Sequence, residues 1–327
     1  MKRPEFFLVL FAIILVFGCI QQSKNSSSAL VVQENTLESS KTPAKTIQLV
    51  VSKDFGKEIL LEESIEAKDG MSAMDALKRK AAVETSFGGN FIQSINGAKS
   101  EFSSGTKKDW FFFVNGFSPN FSANNYILKA GDKLQFDFHD WSYQLHIPAF
   151  VGGFPEPLVN GFQGKTFPTM IVFEPEFEEE AQKIQAFLKQ NHSIDSELAE
   201  FSQLNETQKK QFNLVLIALP ENPLIQEINS NHKRHGLFLF FENNKLVELN
   251  FSGERLNEFE NASVFFAVAS PWNDKGILAQ ENIVFVFSAT NNESLKKGTQ
   301  AFLKNPNMIQ NSFSAIFSEN EFKKVPA

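Results

Sequence analysis

The chain has 327 residues with 42% hydrophobic content, enough for about two domains of 100–200 residues with sizeable cores. Its formal charge of −7 argues against a sequence-independent nucleic-acid binder, which needs a basic face. Cys19 is the single cysteine, so intramolecular disulfides, thiolate metal sites and thiol catalysis are excluded. Phenylalanine is abundant, at 37 copies against 2 Tyr and 3 Trp, and reads as a filler of aliphatic core positions.

Residues 1–18 read as a signal peptide. Lys2 and Arg3 precede an apolar run, Phe6 to Phe17, that is shorter than the roughly twenty residues needed to span a bilayer. Val16-Phe17-Gly18-Cys19 then resembles the lipobox of bacterial lipoproteins. That resemblance implies alkylation of Cys19 with diacylglycerol, cleavage before it, and fatty acyl chains such as palmitate holding the protein to the cell membrane, outside the cytoplasm. Residues 19–45, polar and rich in Ser, Asn, Gln and Thr, read as a flexible tether.

Residues 46–141 read as a small α+β domain. Thr46 to Ser52 is an expected strand, and 55–67 holds a second. Ser72 and Asp75 have the spacing of a helix N-cap with an acidic partner three residues on, and the helix is expected to reach about Val83. Trp110 to Asn115 is an aromatic strand, and Asn115-Gly116 supplies the positive-φ pair of a tight turn. After Ala130-Gly131-Asp132, Leu134, Phe136 and Phe138 alternate with Gln135, Asp137 and His139. That is the period of a strand with one wet face.

Five phrases in order carry a family resemblance: Gly70-Met71-Ser72-Ala73-Met74-Asp75-Ala76-Leu77, Phe87-Gly88-Gly89-Asn90-Phe91-Ile92, Ile95-Asn96-Gly97, Trp110-Phe111-Phe112-Phe113-Val114-Asn115-Gly116, and Tyr126-Ile127-Leu128-Lys129-Ala130-Gly131-Asp132. The region resembles the C-terminal domain of the vitamin-B12 carriers transcobalamin and intrinsic factor, and their microbial relatives. The resemblance implies a β-grasp-like fold and names cobalamin as a candidate ligand; no cofactor is otherwise required. The carriers' large helical domain has no counterpart here. On this hairpin Trp110, Phe112, Phe117, Phe121 and Tyr126 are candidates for stacking on a flat ligand; the alternative is that they fill a core.

Residues 142–169 carry two Gly- and Pro-rich turns without phosphate-loop spacing and read as a linker or long surface connection. From residue 170 to 327, strands and helices alternate. Strands are expected at 170–173, 213–219, 236–241, 263–269, 282–288 and 312–317, and helices at 175–190, 223–231 and 291–303. Residues 245–251 are a possible hairpin partner, and 196–204 a partly helical connector. Such alternation argues a three-layer α/β domain with a mainly parallel sheet.

Leu219-Pro220-Glu221-Asn222-Pro223-Leu224-Ile225, Ala269-Ser270-Pro271-Trp272-Asn273 and the run from Val286 to Leu295 are similar to α/β modules of archaeal S-layer-type proteins and of the periplasmic subunit of cellulose synthase. Those modules are structural or binding units. Ser270, Trp272, Asn273 and Ser288 sit where strands run into connections and are candidates for a binding crevice, with ordinary turn residues as the alternative.

Catalytic signatures are absent. There is no Gly-x-Ser-x-Gly elbow, no His-Glu-x-x-His pair and no nucleophile–base–orienter set. His139, Asp140 and His146 are weak metal candidates, and wet-face strand positions are the alternative; no metal site is expected. His232 and His235 read as a solvated helix end. Asn-x-Ser/Thr triplets at Asn25, Asn120, Asn191, Asn205, Asn250, Asn261 and Asn292 are possible glycan acceptors. The expectation is a lipid-anchored, non-enzymatic binding protein for a small molecule, a cell-surface protein or a glycan. A structural envelope scaffold and an enzyme on envelope polysaccharide or peptide are the alternatives.

Overall fold

The computed structural model describes residues 45–103 and 106–326. The leader, the tether and Cys19 lie outside the described residues, as does Asn25. Residues 43–327 make one unit that holds both core clusters. The fold is mixed α+β, with four sheets. Among the described residues no helix is long and apolar enough to cross a membrane.

The first lobe contains β1 (Thr46–Lys53), β2 (Glu58–Glu66), α1 (Ala73–Lys78), β3 (Val83–Ser86), β4 (Phe91–Ile95), β5 (Ala98–Lys99), β6 (Glu101–Ser103), β7 (Thr106–Val114) and β8 (Lys133–Asp140). Its main sheet has the order β2-β1-β8-β7-β6, with β1 and β8 parallel and the other pairs antiparallel. Helix α1 begins at the expected cap. The Ser72 Oγ accepts from the Asp75 N–H at 3.0 Å, and the Asp75 carboxylate accepts from the Ser72 N–H at 3.0 Å. The helix is shorter than expected because the chain turns at Arg79 into β3. The Asn115-Gly116 turn has both residues at positive φ, 50° and 82°.

In the second lobe, the strands of the main sheet are β9 (Thr169–Phe173), β10 (Ser196–Glu200), β11 (Asn213–Ile217), β15 (Ser263–Ala269), β16 (Ile283–Ala289), β17 (Ser314–Ser318) and β18 (Glu321–Val325). Its helices are α2 (Glu178–His192), α3 (Glu206–Gln211), α4 (Pro223–Ser230) and α5 (Asn292–Lys304), and a meander is formed by β12 (Leu239–Glu242), β13 (Lys245–Leu249) and β14 (Arg255–Phe259). The sheet order is β10-β9-β11-β16-β15-β17-β18.

Pairing is parallel from β10 to β16 and antiparallel from β16 to β18. The sheet is therefore evenly mixed, not mainly parallel. The connection from β15 to β16 holds only one short 3₁₀ turn, whereas a parallel return needs a long crossover. Between β17 and β18 stand only Glu319 and Asn320, both at positive φ, which folds the strands back as a tight hairpin. The stretch expected as a partly helical connector is strand β10 followed by one 3₁₀ turn; it adds to the edge of β9 in register.

Alternation along the strands sorts side chains to two faces. Ile171, Phe173, Val215, Ile217, Phe285 and Phe287 share a core with Ile184 and Leu188 of α2 and Phe302 of α5. Met170, Val172, Leu214, Leu216, Val284 and Val286 share the opposite core with Ile225 and Ile228 of α4 and with the meander.

The first sheet is covered on both faces too. Leu134, Phe136 and Phe138 lie in the core cluster that includes α1. Gln135, Asp137 and His139, expected to be wet, are 1%, 0% and 1% exposed, because the second lobe closes over that face. The Gln135 amide donates to the Ser52 hydroxyl at 3.0 Å, while its carbonyl oxygen finds no partner among the described residues. Asp137 accepts from the Ser52 hydroxyl at 2.6 Å, the Phe55 N–H at 3.0 Å, the Gly56 N–H at 2.8 Å and His139 Nδ1 at 2.7 Å. Facing a carboxylate, that ring nitrogen carries the proton.

The Phe55 ring stacks on His139 at 4.4 Å and meets Phe238 and Phe313 of the second lobe edge-on. Phe111 stacks on the other side of His139 at 4.4 Å. The hairpin tip that delivers Phe55 is strained: Asp54 and Phe55 have φ of 49° and 63°, which non-glycine residues adopt at a cost of about 1 kcal/mol or more each.

The stretch 142–169, read as a linker or long surface connection, threads between the lobes, with Ile147, Ala149, Phe150, Val151, Phe154, Leu158 and Phe162 buried. Gly152 donates to the Ser312 carbonyl at 2.8 Å, and a Cβ there would lie 2.3 Å from the Ser312 nitrogen. Only glycine permits that approach.

Candidate functional site

The aromatic residues singled out in the first lobe are structural. Trp110, Phe117 and Tyr126 are buried, and Phe112 and Phe121 are half-buried. Trp110 donates its indole N–H to the Ala98 carbonyl at 2.9 Å and packs on Phe138 at 5.1 Å. Phe112 stacks on Phe136. Phe117 and Tyr126 both pack on Phe162, and Phe121 stacks on Tyr126 at 5.9 Å. The Tyr126 hydroxyl accepts from the Gln163 N–H at 3.1 Å. These rings are turned toward other side chains, and only Phe112 and Phe121 keep part of their surface exposed.

Nor does the second candidate set converge. Ser270 follows the last residue of β15, whereas Ser288 pairs with Val264 near that strand's start. The two serines are buried at opposite ends of an antiparallel pair. Trp272 and Asn273 have a different task, described below. His139 and Asp140 are buried in the junction, and among the described residues no group of three or more His, Cys, Asp or Glu is placed to hold a metal ion. His232 and His235 are not a solvated helix end: His235 is buried, and His232 stacks on Phe240 at 4.7 Å. Of the possible glycan acceptors, Asn120, Asn191, Asn205, Asn261 and Asn292 are exposed, and Asn250 is half-buried.

A site with no motif in the sequence lies beside that histidine-bearing turn. Segments 143–146, 230–234 and 275–278 enclose an open cleft of about 820 Å³, within the usual size range of small-molecule sites. Each wall is locked from behind. The first leaves β8 in a turn where the Asp140 carboxylate accepts from the Ser142 N–H at 2.7 Å. The buried Gln144 amide then donates to the His146 carbonyl at 2.7 Å and to the Lys233 carbonyl at 2.6 Å, joining the first wall to the second.

That second wall is the turn after α4. The Asn229 side chain exchanges two hydrogen bonds with the Phe241 backbone, at 2.7 and 2.9 Å. Gly236 has φ +78°, and a Cβ there would come within 2.8 Å of Ile147 Cα. For the third wall, the Asn273 carboxamide accepts from the Lys275 N–H at 2.9 Å and donates to Asn282 at 3.1 Å. The Trp272 indole donates to Glu227 on α4 at 3.0 Å. Trp272 and Asn273 therefore organise the loop whose tip forms the wall.

Among the described residues the lining carries Lys233, Arg234, Lys275, His146 and His232 and no carboxylate, in a chain of net charge −7. Lys275 is paired with Glu281 at 2.8 Å, and Lys165 holds the same carboxylate at 2.7 Å. Burial pushes Glu281 up, but the two lysines outweigh it and hold its carboxyl below the usual range. Lys233 and Arg234 have no carboxylate within ion-pair distance among the described residues. The Lys233 ammonium lies 4.6 Å from the centre of the Tyr143 ring.

Burial holds His232 down, so its imidazole is neutral near pH 7. His235, just behind the cleft, is pushed down to about 4 by burial and then by Arg234 and His232. No hydroxyl–imidazole hydrogen bond occurs among the described residues; the ring nitrogens bond to Asp137 and to the Asn229 carbonyl. The arrangement can attract and hold negative charge. It offers no paired nucleophile and base.

A family described as a domain of unknown function, DUF4430, matches residues 70–140, from the cap of α1 to the end of β8. No curated protein matches the chain. Among solved structures, the crystal structure of a proposed metal-binding protein from Ruminococcus gnavus is 18% identical, covering 29% of this chain and 97% of that one, with a TM-score of 0.23. A score that low transfers neither fold nor ligand. All three walls of the cleft lie beyond the matched residues.

Proposed function

We propose that the chain is a membrane-tethered, extracytoplasmic binding protein that holds a small anionic ligand in this cleft without turning it over. In this reading the first lobe is a β-grasp-like unit and the second a three-layer unit, and together they are the rigid frame for the three walls. The leader ending at Cys19 supplies the anchor. The observation that carries the reading is the charge contrast: among the described residues, Lys233 and Arg234 line this open cleft without an ion-pair partner and no carboxylate lines it, in a protein of net charge −7. Opposite charge in a concave site raises local ligand concentration and fixes orientation. The corrinoid that the family resemblance implies is less favoured, since three of the five candidate rings are buried and the other two are half-buried against their neighbours.

Isothermal titration of residues 43–327 with inorganic phosphate, sulfate and acetate tests the reading. The expected result is saturable binding that weakens with added salt and disappears in Lys233→Glu/Arg234→Glu. Binding unchanged in that variant, or no anion bound at all, would sink it.

A further inference from the structure

The cleft is not only cationic. Leu145 and Leu278, 48% and 53% exposed, reach the lining from two different segments, and Ile277 lies beside Leu278. Large aliphatic side chains held in solvent beside unpaired cations suit a ligand with both an apolar and a charged part. Stacking of a sugar or a base is not on offer. The Tyr143 ring has Lys233 over it, and the Gly253 backbone packs so closely against it that a Cβ there would lie 2.1 Å from Cδ2. The lack of a lining carboxylate disfavours cations and zwitterions. The volume, about 820 Å³, exceeds what a bare oxyanion fills.

Resting on the anion-binding reading above, we infer that the ligand is an anionic amphiphile. Its phosphate or carboxylate head meets Lys233 and Arg234, and its alkyl chain lies against Leu145, Ile277 and Leu278. The head and the chain bind through separate side chains, so they can be removed separately.

The experiment is a titration of residues 43–327, which contain both cores, with ethyl, butyl, hexyl and octyl phosphate below their micelle concentrations. Inorganic phosphate and 1-octanol serve as the head-only and chain-only probes. Affinity is expected to rise about two- to threefold per added methylene, short of the roughly fourfold of full burial. Leu145→Ser/Leu278→Ser should flatten that rise while leaving inorganic phosphate binding intact. Both leucines are exposed, so the variant keeps its fold, and an unchanged circular dichroism melt checks this. Lys233→Glu/Arg234→Glu should abolish binding of every member.

Equal affinity along the series, with phosphate still bound, would overturn the amphiphile and leave the anion site standing. Binding of 1-octanol as tightly as octyl phosphate would also overturn it. Sedimentation with phosphatidylglycerol vesicles, in the absence of any binding of monomeric octyl phosphate, would replace the pocket with a membrane-surface contact. If nothing in the set binds, both readings fall.

Discussion

At the junction between the lobes, Asp137 is buried and fully matched; in the cleft, Lys233 and Arg234 are exposed and have no ion-pair partner among the described residues. Asp137 is fully enclosed and receives four donors. Lys233 and Arg234 stand at the mouth of an 820 Å³ space with no carboxylate beside them. A carboxylate that has lost its water must find its donors inside the protein or the fold fails. Exposed cations carry no such demand, because water solvates them until something better arrives. The difference separates residues kept for the fold from residues available for a ligand, and it does so without any catalytic motif.

The comparison can be broken most strongly at Phe55. Phe55→Ala removes the ring wedged among His139, Phe238 and Phe313, and should cost about 4 kcal/mol, the usual scale for a buried phenylalanine. Urea unfolding would measure it, and a loss below about 1 kcal/mol would show that the lobes are not joined there. Asp137→Asn keeps the shape but sets an amide N–H against at least one of the present donors. About 3 kcal/mol should be lost, as for one side of a buried pair.

Acid sharpens the contrast from the cleft side. His235 has its folded value pushed down to about 4, against about 6.5 when unfolded. The unfolded chain takes up the proton first, so stability from this group is complete above pH 6.5 and is lost as pH falls toward 4. The loss should reach about 2 kcal/mol by pH 5, and His235→Gln should remove that part of the slope in melts run from pH 7 to pH 5. The smallest effect belongs to the cleft itself. Lys233→Ala/Arg234→Ala should shift stability by no more than about 0.5 kcal/mol, as for exposed substitutions generally. It should abolish anion binding by titration. A large destabilisation would mean these cations serve the fold after all.

Much of the frame was legible in the sequence. The Ser72 cap, the Asn115-Gly116 turn and the helix expected over 175–190 are local signals, and each formed where expected. Three things were not local. The alternation in β8 is genuine, but the sequence does not say what covers the polar face; the second lobe buries Gln135, Asp137 and His139 as thoroughly as their apolar neighbours. The aromatic residues of β7 read as core or as platform, and only packing decides between them. The cleft brings together three short segments far apart in the chain, none with a motif. Only the basic turn at Lys233 and Arg234 could have hinted at it, and beside a helix C-terminus such residues are already explained by the helix dipole.

The strained hairpin tip that carries Phe55 is also held from the far side of the fold. The Lys324 ammonium of β18 donates to the Gly56 carbonyl at 3.0 Å, across 268 residues of sequence, at the very hairpin that delivers Phe55. The β1–β2 hairpin therefore gains this latch only when β18 is in place. A truncation that removes β18 should be felt at the β1–β2 hairpin, as protease cutting near Asp54.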